Sequence, residues 1–181
     1  MTEALLINQC RKNNGKAQRM LFDFYADTMF LVCIRYLKDV QRAEDAMIAS
    51  FEKFFRNINK FEYRGDGSIG AFLKKIVVNE CLMILRQAQR IITLDEVDMD
   101  EIAPSVDIIS NLSAKEIFKL ISELPDGYRT VFNLFEVEQF THEQIAGELG
   151  ITVGTSKSQL SKAKALLRKR LKQSSCDYAN R

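Results

Sequence analysis

The sequence predicts an all-α protein of two small helical domains joined by a flexible linker, and three observations carry that prediction. Apolar residues recur at spacings of three and four along most of the 181 residues, and no segment sustains the alternation of a half-buried strand. Helix punctuation recurs as well, with Asn13-Asn14-Gly15, Asp39, Ser68, Ser113 and Thr141 standing where helices start or stop. Between two periodic stretches, residues 91–112 lose their period, contain Pro104 and hold six acids without a base. The boundaries that follow are a first domain over 1–90, an acidic linker over 91–112, a second domain over 113–173 and a tail over 174–181.

The first helix is predicted from Glu3 to Lys12, and a longer one from Lys16 to Leu37 with Met20, Leu21, Phe24, Met29, Leu31 and Cys33 on its apolar face. Asp39 caps a third, whose core positions are Ala43, Ala46, Met47, Ser50, Phe51, Phe54 and Phe55. The two glycines of Phe61-Glu-Tyr-Arg-Gly-Asp-Gly-Ser68 mark a loop, and Ser68 is the expected cap of a fourth helix from Ile69 to Gln89. Its middle, Ile76 to Leu85, leaves little polar surface, which predicts a central place in the bundle. After the linker, Ser113-Ala-Lys-Glu116 reads as a capping box opening a helix to Leu124, and Pro125-Asp-Gly127 turns into an amphipathic helix bearing Val131, Phe132, Leu134 and Phe135.

Nearly half of the residues are apolar and only two are proline, enough for two small cores. The chain has no apolar run of bilayer length, and its start lacks a basic, cleavable leader, so a cytoplasmic protein without membrane insertion is expected. Four scattered cysteines with a single histidine argue against a metal or disulfide framework, and Cys33 and Cys81 read as buried packing. The net charge of +2 conceals sorting: residues 1–90 hold fifteen basic and ten acidic side chains, the linker is anionic, and the C-terminal segment is basic.

That basic segment follows a second capping box, Thr141-His-Glu-Gln144, in which the Thr hydroxyl and the Gln side chain each satisfy the other's backbone amide. Ile145, Ala146 and Leu149 follow at helical spacing, Gly150 supplies a left-handed turn, and Ile151 with Val153 re-enters the core. From Ile151 to Gln173 there are seven lysines or arginines and no acid. This is helix-turn-helix grammar with a cationic second helix suited to phosphates. An inward stripe of Ser156, Leu160, Ala163 and Leu167 leaves Thr155, Lys157, Ser158, Ser161 and Lys162 facing a major groove, with Lys164, Arg168 and Lys169 placed for phosphates. The plainer alternative is that the basic residues only offset the helix dipole. His142 reads as a solvated surface residue.

Three segments in this order resemble the sigma-70-type sigma factors, specifically the short extracytoplasmic-function group. Ala43-Glu-Asp45 through Phe51, then Phe61 through Gly67-Ser-Ile-Gly-Ala-Phe-Leu73 and Val78-Asn79, look like the family's second conserved region. Leu124-Pro-Asp-Gly-Tyr-Arg-Thr-Val-Phe132, Ile145-Ala146, Leu149-Gly-Ile151 and Gly154-Thr-Ser-Lys-Ser-Gln-Leu160 look like its fourth. The chain departs from the pattern at Ile48-Ala49, where a Gln-Glu pair is usual, and at Phe72, commonly Trp. It departs again at Met83, often Asp, and at Ser156, where many members have Val and where looser packing of the reader helix is expected.

The resemblance implies a non-enzymatic transcription initiation factor, without cofactor or metal, that binds core RNA polymerase and opens promoter DNA. The N-terminal domain would grip the clamp of the largest subunit, with Glu44 and Asp45 as contacts, although alone these read as ordinary helix N-terminal acids. The C-terminal domain would sit on the flap of the second subunit and read the minus-35 element. An anti-sigma partner and a monomeric free state are also implied. Phe61, Tyr63, Arg64, Lys74, Lys75 and Asn79 combine aromatic faces with a cationic track, as strand separation at the minus-10 element requires. For Phe61 the competing reading, a core side chain, is favoured. The leading alternative function is a one-component helix-turn-helix regulator, against which the chain shows no dimer stripe; an enzyme ranks third, lacking a phosphate loop, nucleophile elbow or metal cluster.

Overall fold

The computed structural model describes residues 2–91 and 114–179, and its contacts divide the chain into two units, Met1–Arg90 and Ile91–Arg181. The acidic segment and the expected capping box at Ser113 lie outside the described residues. Among the described residues every regular element is helical, and no helix is long and apolar enough to cross a membrane.

The first unit holds α1 (Glu3–Arg11), α2 (Gly15–Leu37), α3 (Val40–Arg56), a 3-10 turn (Ile58–Lys60) and α4 (Ser68–Ile91). Side-chain oxygens begin the first three: Thr2 accepts from the Leu5 amide, Asn14 from Lys16 and Ala17, and Asp39 from Arg42. Ser68 is not a cap. It is the first residue of α4, and its hydroxyl accepts from the Arg64 amide, while the backbone bonds that open the helix run to Gly65 and Gly67. As expected, α4 is central, with Ile69, Leu73, Val77, Cys81 and Leu82 fully buried. Gly70 lets α4 lie against α2, because a Cβ there would stand 2.9 Å from Cε1 of Tyr25.

The predicted face of α2 is wrong in part. Met20, Phe24 and Leu31 are 51%, 72% and 57% exposed, whereas Ala17, Leu21, Tyr25, Met29, Val32 and Tyr36 are buried. The helix is apolar on most of its circumference, so periodicity alone does not phase it; packing of α1 and α3 does. Cys33 and Cys81 meet in the core, where their mutual hydrogen bond and burial hold the Cys81 thiol strongly protonated.

The second unit contains α5 (Ala114–Ser122), α6 (Asp126–Phe132), α7 (His142–Leu149) and α8 (Val153–Ala179). The helix predicted after Pro125 does not run on as one α-helix: Asn133–Val137 widens into a π-turn, closed by the Glu138 amide on the Asn133 carbonyl at 3.0 Å. Leu124, Val131, Leu134, Ile145 and Ala163 form the core. Arg129 is buried among them, its guanidinium donating to the Leu124 carbonyl at 2.8 Å and pairing with Asp126 at 2.8 Å. Both bonds of the Thr141 capping box are present, and Gly150 closes α7 at φ 68°. Helix α8 continues to Ala179, beyond residue 173 where the sequence suggests a tail.

Candidate nucleic-acid interfaces

Thr152 opens α8, accepting the Thr155 amide at 3.0 Å and sharing a hydroxyl bond with Thr155 at 2.9 Å. From that turn the helix presents the residues its sequence pattern predicts: Ser156, Leu160 and Ala163 face inward, and Thr155, Lys157, Ser158 and Ser161 are exposed, with Lys162 half-buried. Arg168 and Lys169 are exposed further along. Lys164 differs from them, because it pairs with Glu136 at 2.7 Å and lies 5.9 Å above the Phe135 ring. Ile151 and Val153 are half-buried rather than core.

His142 is not a solvated residue. Its Nδ1 lies 2.9 Å from the hydroxyl of fully buried Ser156, and its ring stacks on Phe135 with centroids 4.5 Å apart and planes 24° apart. The looser packing expected from a serine at 156 is therefore offset by a hydrogen bond that valine could not make. Beside it, the Glu143 carboxyl is held below its ordinary value by bonds from its own amide and the Thr141 hydroxyl, with Lys157 and His142 adding to the effect.

In the first unit, helix α1 fastens both ends of the loop 61–68. Arg11 donates to the Phe61 carbonyl, while Glu3 accepts from the Tyr25 hydroxyl at 2.6 Å and from the Gly67 amide at 3.1 Å. Gly65 and Gly67 adopt φ of 117° and 85°, which side-chain-bearing residues rarely take. Tyr63 is half-buried and donates to Asp66 at 2.7 Å, a bond that pushes its phenol up to about 12. Arg64 is exposed and pairs with Glu62 at 3.1 Å. Phe61 is a core residue, 5% exposed and packed on the rings of Phe54 and Phe72, so it offers no face to a base.

The structure adds a groove of about 780 Å³ between the end of α3 and α4. Phe72, Ile76 and Met83 form its apolar floor, Asn57 and Asn79 contribute amides, and Lys53, Arg56, Lys60 and Arg86 supply cations. Phe72, Ile76, Asn79, Met83 and Arg86 recur along one side of α4, as a repeat of about 3.6 residues requires. Lys75 sits about 60° from the centre of that stripe, whereas Lys74 lies about 160° away. The groove thus brings Asn79 together with basic residues that sequence reasoning missed, while neither Lys74 nor Lys75 is among the residues lining it. The missed cations come from α3, the turn after it and, for Arg86, α4, and the only sequence signal of the first three was the Lys53, Arg56, Lys60 spacing. On α3, Glu44, Asp45 and Ile48 are all exposed.

In the second unit, Ile117, Leu120, Ile121, Phe132, Leu167 and Leu171 line an apolar groove of about 330 Å³, with Glu136, Lys164 and Arg168 at its edge.

Family models match both units: Sigma-70 region 2 over residues 21–91 and Sigma-70, region 4 over residues 114–167. The chain is 27% identical over 179 residues to the ECF RNA polymerase sigma factor SigW of Bacillus subtilis, covering 92% of this chain and 95% of that one. It is 24% identical over 179 residues to the RNA polymerase sigma-H factor of Pseudomonas aeruginosa, covering 92% of each. Among solved structures, CnrH in complex with the cytosolic domain of CnrY shares the fold at a TM-score of 0.50 and 16% identity, covering 93% of this chain and 96% of that one. The sigma factor RpoE of Bartonella quintana, in complex with the anti-sigma factor NepR, does so at 0.50 and 22% identity, covering 85% and 96%. With regions 2 and 4 in order, each on its own helical unit, the chain belongs to the extracytoplasmic-function group of the sigma-70 family and is a transcription initiation factor.

Proposed function

We propose that the two units divide promoter recognition on behalf of core RNA polymerase. The unit ending at Arg90 takes the minus-10 element, and the unit beginning with α5 takes the minus-35 element. The observation that carries this reading is the contrast between the two basic surfaces. Helix α8 offers an acid-free row of exposed Thr155, Lys157, Ser158 and Ser161 with half-buried Lys162, shaped for the major groove of a closed duplex. The α3–α4 groove instead combines an apolar floor with amides and cations, its carboxylate Glu80 being paired with Lys53, a composition suited to unstacked bases and their phosphates.

Within the minus-10 surface, Asn79, Lys75 and Arg64 face nucleic acid, Tyr63 holds the loop through Asp66, and Arg56, Lys60 and Arg86 extend the cationic track. Phe61 supports the loop from the core. On α8, Arg168 and Lys169 meet phosphates, and Lys164 does so only by leaving Glu136. Glu44 and Asp45, with exposed Ile48 between them and the next turn, form the surface for the polymerase clamp. The apolar α5–α6–α8 groove suits the flap of the second subunit.

The protein works in the cytoplasm, has no chemistry of its own, and is monomeric until it meets core enzyme or an anti-sigma protein. Two similar folds were solved in complex with the cytosolic domain of CnrY and with the anti-sigma factor NepR, which supports an anti-sigma partner here. Affinity purification of the tagged chain from its own cells tests the reading: the core polymerase subunits co-purify in stoichiometric amounts, and their absence would refute it.

A further inference from the structure

We infer that His142 is a positioning residue for promoter recognition: it fixes the first turns of α8 through Ser156, so that the exposed residues beside Ser156 meet their base edges. This rests on the reading of α8 as the minus-35 helix. Ser156 stands on the inward side of α8, directly between Thr155 and Lys157, and is fully buried. A buried hydroxyl needs a partner, and from α7 that partner is Nδ1 of His142 at 2.9 Å. The imidazole is itself held, because Phe135 stacks on it at 4.5 Å. Phe135 comes from the π-turn Asn133–Val137, and Lys164 of α8 lies over its other surroundings while pairing with Glu136 of the same turn. Three consecutive elements therefore meet around one ring.

Direction is what this bond adds to packing. The Thr152–Thr155 bonds shape the start of α8 but are internal to that helix, so they cannot set its attachment to α7. The hydrophobic attraction at Leu160 and Ala163 brings the helices together without a preferred direction. A hydrogen bond near 2.9 Å has a preferred angle and length. Reading bases requires side chains held within roughly 0.5 Å and 10–20° of their working geometry.

The test is run-off transcription by core polymerase and the full-length chain on a promoter fragment recovered with this factor, beside the same fragment with its upstream element scrambled. His142→Ala lowers output from the intact fragment about fivefold, the worth of one ordinary hydrogen bond, and leaves the scrambled fragment unchanged. Ser156→Ala gives the same loss, and the double variant is no worse than either single one. His142→Asn, whose side-chain amide reaches the position of Nδ1, restores most of the output. Equal output from His142→Ala and the parent chain overturns the inference, as does a parallel fall on both fragments or an Asn variant no better than Ala. Should His142→Ala unfold the unit by circular dichroism, Ser156→Ala and His142→Asn decide by the same criteria. If the parent chain itself ignores the scrambling, the minus-35 reading of α8 fails first, and the parent alone reveals it.

Discussion

Lys53 on α3 pairs with Glu80 on α4, and the acid of this pair is 8% exposed while the lysine is 46% exposed. The bond joins the two walls of the α3–α4 groove and pairs the carboxylate that lines it. Because the acid is buried and the base is not, the two ends of the pair respond differently to mutation. Removing the lysine strands a desolvated carboxylate, whereas removing a neighbouring exposed cation strands nothing.

Lys53→Ala is accordingly expected to destabilise the protein by about 1–2 kcal/mol, the half-exposed lysine keeping the loss below that of a fully buried pair. Arg56→Ala should cost less than about 0.5 kcal/mol. Urea denaturation of the two variants checks the difference, and equal midpoints would contradict it.

On α8, Arg168→Ala and Lys169→Ala should each flatten the dependence of promoter binding on salt by about 0.9 in the log–log slope, one phosphate contact apiece. Lys164→Ala should change it less, since Lys164 already pairs with Glu136 at 2.7 Å. Titration of holoenzyme binding between low and moderate salt measures all three.

Strand opening separates the two adjacent lysines of α4. On the helical wheel Lys75 lies about 60° from the groove-lining stripe of α4 and Lys74 about 160° from it, so Lys75→Ala should reduce permanganate reactivity of promoter thymines several-fold more than Lys74→Ala. Equal effects would mean that the groove is not the melting surface.

Acid weakens the start of α7 in a defined window. The Glu143 carboxyl titrates below its ordinary value of 4.5 in the folded chain, chiefly through its own amide and then the Thr141 hydroxyl. A lowered folded value means that this contribution is complete above pH 4.5 and disappears as pH falls through the folded value. NMR titration of the Glu143 side chain should place its midpoint below 4.5, and Thr141→Ala should raise it.

Much of this architecture is legible in local chemistry. Asp39 and Thr141 cap helices because their side-chain oxygens reach amides three residues on, and Gly150 ends α7 because its φ of 68° suits glycine; Asn14, which reads as part of a C-cap cluster, instead caps the start of α2. The exposed row of α8 follows from a clean separation of charged and apolar positions. What escaped detection depends on partners distant in sequence. The Lys53–Glu80 pair spans 27 residues and the His142–Ser156 bond spans 14, and neither leaves a periodic trace. On α2 the signal was too strong rather than too weak: with Phe22, Phe24, Phe30 and Leu31 around the helix, hydrophobicity could not say which side faces inward. The π-turn that carries Phe135 toward His142 likewise has no sequence signature of its own.

Run-off transcription from fragmented genomic DNA, with purified core polymerase in the presence and absence of this chain, probes the whole account at once. Discrete start sites should appear only when the chain is added, and should be lost on combining Lys75→Ala with Lys157→Ala. Transcripts identical with and without the chain would contradict it.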